Sequence, residues 1–462
     1  MTSPRPAPPF HPREAVAAWD AALEAGDCAS DSAAWLAGQL ERRGLFFGER
    51  PVCTVLRPRF LSRAQYALLQ TRCAVLLRAL GKIYEAALAR PDFLDQFGLE
   101  PWEEELLRGD RSPGPPNPLS RIDAFFDPAG RTFRITELNG ETPAGPGYGD
   151  ALSEIFLTMP VTAAFARDWV LWPLPVRHRV LRTLLEVWRR FSGRRDAPAL
   201  AIVDWKEVPT YSEFVLFREY FHAQGLSCVI ADPVELEYAD GRLTAGGVPV
   251  DLVYKRILIS ELVQRGGIDH PLVRAVRDGA VCMVNGFRCK LLHKKASLAV
   301  LSDERNGDLF DHVERAAIAE HVPWTRVVAE RHTTHRDHDV DLVPFVLRER
   351  ERLVLKPNDE YGGTGVVLGW QVDEAGWERA VHAALEAPHI VQERIELPSS
   401  PYPALVDGAL TYGERIADTA PFAFEGALVD GCLTRVSTDQ LVNVTAGGGS
   451  TVATFVVESR AA

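Results

Sequence analysis

The sequence predicts an α/β protein with α+β subdomains, and three patterns carry that expectation. Residues 120–139 and 353–368 each read as two alternating apolar runs joined by turn-forming residues, which is the pattern of a β-hairpin. Residues 198–262 alternate short apolar runs with a helical pattern, as a small parallel α/β unit does. Residues 13–107 carry Ala- and Leu-rich runs with apolar residues at three- and four-residue spacing, which predicts a helical layer packed on the sheets.

The elements follow in chain order. Residues 1–15 begin MTSPRPAPPFHP, proline-rich and without an apolar run, and are expected to be a flexible tail. The helical layer comes next, with its clearest run from Ser62 to Leu88, and Pro113 to Pro118 then forms a connector. In the hairpin that follows, Glu137 and Asn139 are two apart and share a strand face, as do Arg121 and Asp123 on the preceding strand. A carboxylate and an amide oxygen so placed are hard ligands of the kind that suits Mg²⁺, although a pair of solvated side chains would read the same way. Residues 140–150, with Thr142 among four glycines and two prolines, read as a substrate-facing loop rather than a strand or a plain linker.

In the parallel unit the strands are 200–203, 226–230 and 252–254, with a helix across 212–224. Ligands gather beyond the carboxyl ends of such strands, so Asp204, Trp205, Lys206, Tyr211, Ser212 and Glu213 are candidates for binding a substrate. Ser212 would equally serve as a helix cap with Glu213 in the first turn. Further on, His332, His335 and His338 lack the four-residue spacing of a helical metal pair, and their wholly polar stretch reads as a solvated loop.

The most informative stretch is LVLKPNDEYGGTGVVL, residues 353–368. Glycines in the connection let backbone N–H groups approach phosphate oxygens, and Lys356 on the incoming strand can deliver a cation to them. Neither a Walker A loop nor a G-x-G-x-x-G fingerprint is present. Glu360, two residues before Gly362 and Gly363, belongs beside bound phosphates only if a divalent cation bridges them. The strand 389–393, ending in Gln392 and Glu393 before Ile395 and Pro398, suits an adenine hinge, with Glu393 accepting from the exocyclic amine and Ile395 offering main chain.

Taken in this order, the segments resemble the circularly permuted ATP-grasp ligases, the form seen in eukaryotic-type glutathione synthetases and glutathionylspermidine synthetases. The metal-strand motif Glu137-x-Asn139 lies upstream of Lys356, the reverse of the ordinary ATP-grasp order. The resemblance runs from about residue 120 onward and implies ATP and Mg²⁺ as cofactors. It implies Glu137, Asn139 and Glu360 as metal ligands and Lys356, Gly362, Gly363, Gln392, Glu393 and Ile395 as ATP-binding residues. Arg121 would face the transferred phosphoryl group and Arg256 would be a substrate-domain arginine, both catalytic with Lys356. Asp123, Thr142, Ser212, Glu213, Arg256, Arg435, Gly447 and Gly448 would bind substrate, the last two in a second glycine-rich loop. A further phosphate lysine has three candidates, Lys290, Lys294 and Lys295; Lys290 is preferred because it opens an apolar-periodic run, on whose solvated helix face Lys294 and Lys295 would lie. The implied domains are 16–195, helices plus metal strands; 196–265, the α/β substrate unit; and 266–462, the nucleotide-binding region.

The implied activity is ATP-dependent carboxylate–amine ligation through an acyl phosphate, with an ATP-grasp kinase or a noncatalytic ATP-binding scaffold as alternatives. The acid and the amine, whether amino acid, peptide or polyamine, are not inherited from the resemblance, and a homodimer is expected by analogy. Composition agrees with an enzyme: 462 residues, 46% hydrophobic and 25% charged, are enough for a large core in two or three subdomains. A net charge of −12 without a basic run argues against nucleic acid, and no apolar run approaches membrane-spanning length. Seven scattered cysteines without C-x-x-C spacing fit a reducing cytoplasm.

Overall fold

The computed structural model describes residues 12–127, 133–360, 362–397, 399–439 and 449–460. The fold is mixed α/β, with several sheets and helices packed between them. The largest sheet is antiparallel and runs Ser399–Val406, Ala409–Ala417, Leu428–Ser437, Ala420–Phe424, Leu119–Phe126, Phe133–Asn139, with Gly449–Val452 also paired to Leu428–Ser437. One face of its last two strands turns Ile122, Phe126, Phe133 and Ile135 into a core shared with the helix Arg63–Ala89. That helix buries Leu69, Cys73, Leu76, Leu80, Ile83 and Ala87, an unbroken three-and-four spacing. Ser62 starts it with a capping box: its hydroxyl accepts from the Gln65 N–H at 3.1 Å, and the Gln65 side chain accepts from the Ser62 N–H at 2.9 Å. Ser62→Ala is expected to cost about 1 kcal/mol, read as a lower urea midpoint with nucleotide affinity unchanged.

The parallel sheet runs Cys282–Val284, Leu252–Lys255, Leu200–Val203, Cys228–Ala231. Its strands are apolar except for the buried Lys255, because both faces are covered. Leu200 and Ile202 enter a core with Phe214, Phe217 and Phe221, while Ala201 and Val203 enter another with Leu262, Leu272 and Val273. The strand Cys282–Val284 comes from outside 196–265, and a meander of Leu236–Ala239, Arg242–Ala245 and Val248–Val250 interrupts the unit, which its apolar pattern did not announce. A third sheet, antiparallel, runs Thr325–Val327, His389–Glu393, Leu353–Pro357, Val367–Leu368 and is covered by the helix Glu374–Glu386 through Trp377 and Val381. A small sheet places Thr454–Ser459 between Arg59–Leu61 and Trp169–Pro173.

Several local expectations are corrected. The N-terminal layer is not purely helical, since Phe46–Phe47 pairs with Arg50–Pro51 and Arg59–Leu61 joins a sheet. The loop from Gly140 ends early, at the helix Pro146–Leu157, with Pro146 at the first helical position where its missing N–H costs nothing. The histidine stretch is a hairpin, His332–His335 paired with His338–Asp341, turned by Arg336 and Asp337 at φ 48° and 65°. It is polar yet ordered because Thr333 is buried against Arg326 and Glu304, and the His335 ring packs 5.2 Å from that of Trp324. Among the described residues no helix is long and apolar enough to cross a membrane, and all seven cysteines are unpaired.

Candidate active site

The third sheet faces the strands Leu119–Phe126 and Phe133–Asn139 across a cleft with two adjoining lobes, of about 190 Å³ and 310 Å³. Asp123, Glu137, Lys295, Glu360, Gly362 and Arg435 line both. The smaller lobe has apolar walls from Val354, Leu368, Trp370, Ile395 and Leu397, with Lys356, Gln392 and Glu393 along one side. The guanidinium of Arg394 stacks 4.1 Å from the Trp370 ring centroid. Such a slot, apolar on its walls and polar at one edge, suits a planar base.

Strand pairing places the polar residues of the shared wall. Arg121 is opposite Asn139 and Asp123 opposite Glu137, with a bulge between Asp123 and Ala124, so all four side chains face the larger lobe. Burial pushes the Glu137 carboxyl up, but Lys295 and then Lys356 outweigh that together with neighbouring Asp123, so it sits below its ordinary value. Asn139 Oδ1 is buried and, among the described residues, has no hydrogen-bond donor. An orphaned amide oxygen beside Glu137 and Glu360 is a hard-donor set that fits Mg²⁺. Among the described residues no three His, Cys, Asp or Glu side chains converge as a metal cage.

Lys356 Nζ donates to Gln392 Oε1 at 2.7 Å and to the Thr136 carbonyl at 3.4 Å, bridging the two sheets. Gln392 is itself fixed by donating to Thr325 Oγ1 at 3.1 Å, so it orients Lys356. Burial depresses Lys356 to about 8, against the raising influence of Glu137. Of the three lysines upstream, Lys290, Lys294 and Lys295, the sequence favoured Lys290 as the phosphate lysine, and the structure places it elsewhere. Lys290 does not reach the cleft; it is 2% exposed, and its Nζ lies 2.7 Å from Asp359, 3.2 Å from Glu141 and 3.8 Å from Glu103. Lys294, also buried, pairs with Glu103 at 2.8 Å and Asp359 at 3.2 Å. Lys295 is the one that enters both lobes, 3.4 Å from Glu137 and donating to the Glu360 carbonyl. No solvated helix face exists here, because the helix Cys289–His293 is one turn long and all three lysines are buried.

Gly362, Gly363 and Gly365 stand at φ 65°, 79° and 70°, and a Cβ on Gly365 would meet Pro357 Cγ at 2.7 Å. Glycine is therefore required for this loop to fold back over the strand end. Gly447 and Gly448 lie outside the described residues. Glu393 lines the smaller lobe with its carboxylate held by Arg336 at 2.8 Å, and Ile395 lies beside it.

In the larger lobe Arg121 grips Asp123, at 2.7 Å from Nη2 to Oδ2, and donates to the Ala144 carbonyl at 2.6 Å. Arg435 reaches Asp123 at 3.0 Å and, through Nε, Asp418 at 2.6 Å. Arg256 pairs with Glu213 at 3.1 Å and donates to the Tyr254 hydroxyl at 3.2 Å. Thr142 lies on the lobe wall. Ser212 and Glu213 lie behind it. Glu213 is fully buried and also accepts from the Gly145 and Gly147 N–H groups at 2.8 and 2.9 Å, fixing the loop from within. Ser212 is not a cap, because it joins Tyr148 to the Phe46 carbonyl at 2.7 Å each. Trp370, Asp418 and Glu261 escaped the sequence reading, since each sits in a segment with no motif of its own.

No protein-family model matches the sequence, and no curated protein matches it. Among solved structures, a glutathione synthetase-like effector from Globodera pallida, in its apo form, superposes with a TM-score of 0.58 at 13% identity over 93% of this chain and 96% of its own. At that identity the likeness is one of fold. D-alanyl-alanine synthetase A from Vibrio cholerae matches at a TM-score of 0.26 and 10% identity over 48% of this chain and 67% of its own, too slight to carry an argument.

Proposed function

We propose that this chain is an ATP- and Mg²⁺-dependent carboxylate–amine ligase with a circularly permuted ATP-grasp fold. The observation that carries the reading is the pair of lobes meeting at Glu137, Lys295, Glu360 and Gly362, one shaped for a base and the other charged for small-molecule substrates. The fold shared with a glutathione synthetase-like effector supports it.

In this reading the smaller lobe holds adenine between Val354, Leu368 and Trp370, with polar contacts from Glu393 and the Ile395 main chain. Lys356 and Lys295 bind the phosphates, and the Gly362-Gly363 loop closes over them and keeps water away. Lys295 takes the place that the sequence reading gave to Lys290. Glu137, Asn139 and Glu360 would hold Mg²⁺, which would supply positive charge to offset that of the phosphates. The substrate carboxylate attacks the γ-phosphorus and ADP leaves, forming an acyl phosphate. The amine then attacks the acyl carbon, phosphate leaves, and an amide remains once the nitrogen gives up its proton. Arg256 and Arg435 orient the anionic groups. Arg121, committed to Asp123 and the Ala144 carbonyl, holds the wall in place and adds its charge to the field at the transferred phosphoryl group.

The test is Mg²⁺-dependent ADP release across pooled amino acids, peptides and amines, with product masses read by mass spectrometry. A product equal to acid plus amine minus water supports ligation. A stable phosphorylated product instead indicates a kinase, and ATP binding without ADP indicates a scaffold. Lys356 adds a pH signature. A bound polyphosphate favours its charged form, so affinity holds below the free value of about 8 and falls above it as the ammonium is lost. The expected decline is about tenfold per pH unit above that point, with proton uptake on binding measured by calorimetry in two buffers. Lys356→Met should remove both effects, and a flat profile in the unmodified protein would count against a phosphate role for Lys356.

A further inference from the structure

The larger lobe carries more acid than its proposed chemistry uses. Each of its arginines is matched by a carboxylate: Arg121 by Asp123, Arg256 by Glu213, and Arg435 by Asp418. Lys295 is turned toward Glu137, and His293 is neutral because burial depresses it to about 4. Glu137 and Glu360 belong to the proposed metal site. One further lining carboxylate stands outside these pairings, Asp204, with Glu261 close enough to act on it.

Asp204 follows the parallel strand Leu200–Val203 and is 7% exposed. One of its oxygens accepts from the Trp205 N–H at 2.8 Å. Among the described residues no lysine or arginine forms an ion pair with it, and no donor reaches its other oxygen. Burial raises it to about 6, and Glu261 adds to that against the pull of Arg256. A buried, largely uncompensated carboxylate on a cavity wall is costly, and a bound cation would relieve it. The wall beside it is apolar, with Phe47, Val52, Val208, Pro209 and Leu258 lining the same lobe.

We infer that Asp204, assisted by Glu261, is the subsite for an ammonium group at the end of an aliphatic chain, so one substrate of this lobe carries a cationic amine that does not react. The chain's methylenes lie along the apolar wall and the ammonium reaches the open oxygen of Asp204. This deepens the ligase reading and rests on it for the word substrate, whereas ammonium binding itself does not depend on catalysis. Two sources share the chemistry, a free alkyl diamine and an amino acid with an ammonium side chain. Both dianionic peptides and uncharged alkyl substrates are disfavoured.

Calorimetry on the full chain, without nucleotide and at constant ionic strength, tests it with two matched pairs: putrescine against butanediol, and lysine against norleucine. We expect one cationic member to bind at least about tenfold more tightly than its uncharged partner, and the pair that does so identifies the source. Asp204→Asn should remove the preference while ATP affinity stays unchanged. Glu261→Gln should weaken it, and decides the matter if Asp204→Asn does not fold. Equal binding within both pairs, or a preference that survives in a folded Asp204→Asn protein, would overturn the subsite. If no pool elicits ADP but the preference and its loss are seen, the ligase reading fails and the subsite stands. If ADP and an amide form while neither cation is preferred, the reverse holds.

Discussion

Exchanging Lys290 for methionine is expected to destabilise the protein severely, whereas the same change at Lys295 should abolish nucleotide binding in a chain that remains folded. Lys290 sits among Glu103, Glu141 and Asp359, and its ammonium is held strongly in the charged form because those carboxylates outweigh the cost of burial. Without it, Glu141 keeps Lys255 at 3.4 Å, the Ile259 N–H and a neutral His293, while Asp359 keeps Lys294. Removing one partner from a buried ion-pair network costs roughly 3–5 kcal/mol, a large share of a typical folding free energy. Lys295 has instead one partly exposed carboxylate and one carbonyl as partners. Thermal melting and calorimetric ATP titration of both variants separate the two roles. A Lys290→Met protein that melts normally but has lost ATP would reverse the assignment of the lysines.

Glu137→Gln carries the second large effect. The glutamine keeps the shape of the wall but removes the anion that faces Lys295 and Lys356 and the charge that a divalent cation would require. ADP release should fall by about 10²–10³ or more. Magnesium should also cease to strengthen nucleotide binding, while magnesium-free ATP binds at least as well, since a carboxylate beside the phosphates has gone. Melting should be little changed, because the side chain is one-third exposed and its partner Lys295 retains the Glu360 carbonyl. Undiminished turnover in this variant would remove Glu137 from the site.

The two hairpins were legible because their chemistry is local. Alternation places Arg121, Asp123, Glu137 and Asn139 on shared faces, and glycine at 362, 363 and 365 announces left-handed backbone, although the bulge after Asp123 that sets the register is not in the pattern. The roles of the lysines were not legible, because three near-consecutive lysines look alike until the carboxylates that claim them are known. Glu103, Glu141 and Asp359 come from three distant segments. Ser212 and Glu213 misled for a related reason. A strand end marks where ligands collect, but the turn after it also supplies buried braces, and the glycine N–H groups that occupy Glu213 lie more than sixty residues earlier. The histidine hairpin was hidden because its stability comes from hydrogen bonds to Glu304 and Arg326 rather than from an apolar face.

The strand Thr454–Ser459, lodged between Arg59–Leu61 and Trp169–Pro173, has a consequence for synthesis. Residues 59–61 and 169–173 are synthesised long before residues 454–459 and cannot complete their sheet until that strand has followed. Contacts of such long sequence separation form late and slowly, and Phe60, at the edge left open, is meanwhile an apolar surface for a chaperone or for another nascent chain. A chain stopped just before residue 454 should therefore fail around residues 59–61, by aggregating during translation, read as loss of soluble protein in a pelleting assay.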